Sequence, residues 1–155
     1  MSRTLRCIFF ILTIIPFSST GNTNSKITAA SVTEGIEVLD IMLGDDREIL
    51  LNKLKVMSPE MAHWVTDFAY GEVISRPQLD LRTRELSTIA ALTAMGTAKP
   101  QLRTHIGMAL NAGATPVEII EVIMQMTVYA GFPAGLNGIQ IAHKVFEEKK
   151  IKVVK

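Results

Sequence analysis

The 155-residue chain has a single cysteine, Cys7, close to its start. No disulfide can form within the chain, and no thiol pair is available to run a redox cycle. An excess of one charge is also missing, because 16 Lys and Arg stand against 15 Asp and Glu. That balance excludes the basic footprint of a nucleic-acid-binding protein. Nowhere is there an apolar run of the roughly 20 residues needed to span a bilayer. Strand signals are lacking too, since no run alternates apolar with polar residues and no Asn-Gly turn is flanked by such alternation. Phosphate-binding glycine loops, a dinucleotide fingerprint and a Ser-His-Asp order are absent. The three histidines, His63, His105 and His143, lie too far apart for the close ligand pairs of a zinc site.

What is present starts with the N-terminus. Arg3 and Arg6 precede an apolar stretch over residues 7–17, broken only by Thr13 and Pro16, and Ser18, Ser19, Thr20 and Gly21 supply small residues after it. This order predicts a cleaved secretory signal over residues 1–20, with an uncleaved anchor as the alternative. Cleavage removes two arginines and the cysteine and leaves the acids one ahead. The 48% hydrophobic composition of the full chain is ample for one core, so the expectation is a flexible polar leader over 21–32 and one domain over 33–150. With no disulfide, its stability must come from packing and from oligomerisation.

Beyond the leader the apolar period is helical almost throughout. Helices are predicted over 33–43, with Ile36, Leu39 and Leu43 on one face, and over 47–57. Ser58 and Pro59 open a third helix that ends near Gly71. Asp80 caps a fourth over 81–95, with Leu86, Ile89, Ala90 and Leu92 inward, and Gly96 ends it. A fifth runs from Pro100 to Asn111. Thr115, Pro116 and Glu118 form a capping box for a sixth over 116–129. That helix is apolar on nearly all sides, which predicts burial all round against a core and a subunit interface. A seventh covers 134–148. The fold class is all-α, a bundle of six to seven helices.

Four segments of this chain resemble one known family. They are Phe68-Ala69-Tyr70-Gly71, the stretch Leu79 to Leu86 that contains Arg82-Thr83-Arg84-Glu85, Gln101-Leu102-Arg103-Thr104-His105, and Tyr129 to Ala134 with Gly131-Phe132-Pro133. Together they are similar to the carboxymuconolactone decarboxylase family, which includes a cofactor-free lactone decarboxylase and the AhpD-type thiol peroxidases. The resemblance covers roughly residues 58–148. It implies an AhpD-like helical subunit that assembles into trimers or hexamers, no cofactor, and a carboxylated small-molecule substrate. The peroxidase branch needs a Cys-x-x-Cys pair before the family histidine. Here Gln101, or Thr97 and Pro100 in the other register, stand where the thiols would be, so the chain falls on the decarboxylase side. With the export signal, the resemblance suggests a periplasmic protein without membrane contact after cleavage, and this departs from the cytoplasmic setting of aromatic catabolism.

His105 is the first candidate catalytic residue. Its helical face should include Gln101, Met108, Ala109 and Ala112, and imidazole can give or take a proton near neutrality. A core histidine bonded to a carbonyl is the bland alternative. Glu85 occupies the place of the peroxidases' proton-relay glutamate. Without thiols it is left either to orient His105 or to pair with Arg82 or Arg84. Arg82, Arg84 and Arg103 are the candidate carboxylate anchors, against a reading as three surface arginines. Gln101 and Phe132 are candidate substrate contacts, with turn and interface packing as the alternative for Phe132. His63 beside Trp64 reads as packing or pocket lining, and His143 as solvated. No metal is expected. Three functions remain: a decarboxylase, a peroxidase relative without its chemistry, and a non-catalytic oligomeric binding module.

Overall fold

The computed structural model describes residues 28–153, and every regular element among them is helical. The expected signal over 1–20 and most of the leader lie outside the described residues. Helix α1, Ala29–Leu43, starts four residues before its apolar period does. The reason is a reciprocal cap: Ser31 Oγ accepts from the Thr28 amide at 2.9 Å, while Thr28 Oγ1 accepts from the Ser31 amide. Residues 29–32, read from the sequence as leader, are therefore helical. Val38, Leu39 and Met42 are the apolar side chains that α1 buries, with Ile36 and Leu43 only half-buried.

Helix α2, Asp46–Met57, follows after a turn at Gly44. Helix α3 opens at Pro59 under a Ser58 cap, whose Oγ accepts from the Met61 amide at 3.2 Å. It does not end near Gly71. From Trp64 to Ile74 it widens into a π-helical segment, and the Ser75 amide reaches back five residues to the Tyr70 carbonyl at 3.0 Å. This segment crosses α1 with almost no separation. A Cβ on Gly71 would stand 2.1 Å from the Ser31 carbonyl oxygen, so only glycine lets the two backbones meet.

The second half of the chain keeps the predicted boundaries closely. Helix α4, Leu81–Met95, is capped by Asp80 and stopped by Gly96 at φ 69°. Helix α5 is Lys99–Asn111, α6 is Pro116–Ala130 and α7 is Phe132–Glu148. The last begins two residues before its expected start because Pro133 is compatible with the first helical turn. Helices α4 to α7 surround one core that includes Ile89, Ile106, Ile119, Ile123 and Phe146. A second cluster joins α1, the π-helical segment and α5 through Leu39, Met42, Tyr70 and Met108. Helix α5 belongs to both, with Ile106 turned to one and Met108 to the other.

Helix α6 is buried on its core side in the single chain, and the subunit interface expected to cover its other sides would need a second copy. Only Ile119 and Ile123 are buried on it, and Val117, Met124, Val128 and Tyr129 are exposed. Among the described residues α6 packs mainly on α4 and α7 and slightly on α5, which leaves the rest of its apolar surface exposed.

Candidate active site

The seam between the two clusters holds the ionisable pair. Helix α4 carries Glu85 and α5 carries His105, and the two helices pack side by side. His105 Nδ1 lies 2.8 Å from Glu85 Oε2. Glu85 is only 1% exposed and His105 is 22% exposed at the side chain. A buried carboxylate is tolerated only with a partner, and here the partner is the histidine. An ionised Glu85 accepts from Nδ1–H, which leaves Nε2 as the nitrogen not engaged by Glu85.

His105 also lines a cavity of about 490 Å³. Its floor is one face of α5, where Gln101, Thr104, His105 and Met108 recur at helical spacing. Leu50 and Leu54 of α2, Met61 of α3, and Val65 and Tyr70 of the π-helical segment complete most of the wall. The wall is largely apolar, and its polar groups are few and convergent, as in a small-molecule site. Tyr70 is 9% exposed, and among the described residues its hydroxyl donates only to Met108 Sδ, at 3.8 Å. Burial, and then the neighbouring Glu85 carboxylate, push the phenol well above its ordinary pKa, so it stays protonated.

Gln101 thus lines the cavity together with His105, while the other candidates sit elsewhere. Arg82 pairs with Glu118 at the start of α6. Arg84 donates to the carbonyl oxygens of Leu79, at 3.0 Å, and Arg76, at 2.8 Å, closing the turn before α4. Arg103 forms a forked pair with Glu148, and Glu148 is held below the usual carboxylate range by it. Arg103 borders a second cavity of about 320 Å³, which shares Leu50, Thr104 and Met108 with the first. Among the described residues no arginine lines the His105 cavity. Phe132 is 71% exposed at the start of α7. His63 and His143 are exposed beside Asp67 and Glu147. Among the described residues no group of three or more His, Cys, Asp and Glu is placed to hold a metal.

Tyr70 is the site residue that sequence reasoning passed over. A helical wheel puts it off the face of Val65. The wider π turn brings residues five apart into line, and both then face His105. Its place in the Phe68-Ala69-Tyr70-Gly71 motif is the one signal that points to it.

The chain is 36% identical over 116 residues to a 4-carboxymuconolactone decarboxylase of Acinetobacter baylyi, spanning 74% of this chain and 86% of that protein. It is 29% identical over 133 residues to a nitrosuccinic acid decarboxylase of Metarhizium robertsii, covering 84% of this chain and 91% of the relative. A 15.0 kDa protein of Paracoccus denitrificans, named as uncharacterized, is 37% identical over 100 residues, or 64% of this chain and 75% of its own. The sequence pattern of the carboxymuconolactone decarboxylase family matches residues 59–144, the segment that supplies His105, Glu85, Tyr70 and most of the cavity wall. On these grounds the chain belongs to the carboxymuconolactone decarboxylase family.

Proposed function

We propose that this chain is a decarboxylase that needs no cofactor and acts on a small carboxylated compound, with His105 as the proton donor and Glu85 as the residue that orients and charge-balances it. The observation that carries this reading is the Glu85–His105 pair, bonded at 2.8 Å and opening on a cavity rather than closed inside the core. Loss of carbon dioxide disperses the localised charge of a carboxylate over the group left behind. An apolar wall disfavours the localised charge more than the dispersed one. A single acid is then required to protonate the carbon that carried the carboxyl group. Two relatives are named as decarboxylases of small acids, which supports the same reaction class here. The thiol-peroxidase reading has no chemistry to rest on, because Cys7 is the only cysteine.

The proposed protein is exported, on the strength of the signal-like start, and works as a homo-oligomer. Val128, Tyr129, Phe132 and Leu136 gather around the turn from α6 to α7, each more than half exposed, and a second copy would cover them.

The test is carbon dioxide release by purified residues 21–155 from a panel of small carboxylated lactones and keto acids, beside the His105→Gln protein. Release that drops at least about tenfold in the variant supports the reading, since general acid catalysis contributes on the order of a hundredfold or more. Release unchanged by the substitution removes His105 from the mechanism. Silence from both proteins, with the fold intact, favours a binding module.

A further inference from the structure

The Tyr70 hydroxyl is a buried polar group of the cavity wall that the proposed function leaves without a task. Among the described residues its only hydrogen-bond partner is a thioether 3.8 Å away, which is a weak acceptor. A phenol O–H buried with only a weak acceptor carries a desolvation penalty that the thioether offsets only in part. The π-helical turn nonetheless places it against His105, Gln101 and Thr104 at the wall of the same cavity. A neutral, partly desolvated O–H donor at the wall of such a cavity, held only by a weak acceptor, is free to turn to a substrate oxygen and stabilise a developing oxyanion.

We propose that Tyr70 is a further catalytic residue, donating a hydrogen bond to the substrate oxygen on which negative charge develops as carbon dioxide leaves. This rests on the decarboxylase reading and narrows its substrate class. The carboxyl group must sit on a carbon next to a carbonyl, or joined to one through a double bond, so that an oxygen can accept the electrons. In the step, the bond from that carbon to the carboxylate breaks and carbon dioxide departs. The bonding pair moves through the carbon framework onto the carbonyl oxygen. Tyr70 keeps its proton and donates a hydrogen bond to that oxygen. The electron pair then returns to carbon and takes a proton from His105 Nε2, which solvent restores. Burial keeps the phenol protonated throughout.

Tyr70→Phe tests this, because it removes one oxygen and leaves the ring in place. Where the panel yields a substrate, kcat should fall about a hundredfold, KM should stay within a few-fold, and Tm should hold or rise. A merely structural tyrosine would instead lower Tm and leave kcat alone, and unchanged kcat overturns the proposal. A second probe needs no turnover: binding of 4-nitrophenol, above neutral pH where it is the phenolate, followed by its visible absorbance. Wild type should bind it, and Tyr70→Phe about tenfold more weakly. If the panel yields no substrate, this binding decides. A loss in the variant upholds Tyr70 as an oxyanion donor while the decarboxylase reading fails. Equal binding by both, or none by wild type, sinks the proposal.

Discussion

At the scale of single residues, the site and the fold depend on different atoms in the same segment. Tyr70 faces the cavity, while its neighbour Gly71 faces α1 with no room for a methyl group. Gly71→Ala forces a backbone shift, because the atom in the way, 2.1 Å from the new Cβ, is a carbonyl oxygen of α1. Overpacking of that kind costs about 3 kcal/mol and should lower Tm by on the order of 10 °C. Gly107→Ala is the control. Its nearest obstacle is the flexible end of Lys149 at 3.6 Å, so alanine there should be neutral or stabilising. Equal losses from the two substitutions, measured by thermal unfolding, would show that the close crossing is not what limits this position. The same scale shows how much of the site the sequence discloses. His105 sits mid-helix with Gln101 and Met108 at helical spacing, so its face is legible. Glu85 as its partner is one of two readings until the fold brings α4 beside α5. The arginines look like anchors because guanidinium groups fit carboxylates. Their actual partners, Glu118, Glu148 and two turn carbonyls, are chosen by tertiary placement that spacing does not encode.

At the scale of elements, the helices whose ends are marked by chemistry are the ones found correctly. Asp80 before α4 and Thr115 before α6 are strong cap signals, and both caps form. The start of α1 escaped because its cap partner is Ser31 rather than the usual glutamate. The π turns escaped because apolar residues at ordinary helical spacing continue through them. The α4 cap also gives the fold a pH dependence. The Thr83 backbone N–H, and after it the Thr83 hydroxyl, hold the Asp80 carboxyl below its usual range. A pKa depressed in the folded state gives stability that is complete above the unfolded value, about 3.9. That stability fades as pH falls through the folded value. Asp80→Asn keeps a capping oxygen without a titrating group. Denaturant melts across the acid range should therefore show a shallower loss of stability for the variant. An identical slope would mean that Asp80 is equally protonated in both states.

At the scale of the whole molecule, the chain has more apolar surface than its own core covers. The all-round apolar pattern of α6 is legible in the sequence, but a pattern reports that a face will be covered and not by what. Tyr129, 76% exposed at the end of α6, is the best place to ask. If a second copy covers it, wild type should sediment as more than one chain and Tyr129→Asp should shift toward the single chain. A wild type that already sediments as one chain would rule out that use of the face. Helix α2 supplies Leu50 and Leu54 to the wall of the His105 cavity, yet none of its residues is fully buried. It packs on α1 and α3 and contributes nothing to the core that α4 to α7 enclose. Moving it aside leaves that core intact, so it needs far less free energy than unfolding the chain. The side of the cavity wall formed by Leu50 and Leu54 is therefore held by less burial than the side that carries the Glu85–His105 pair.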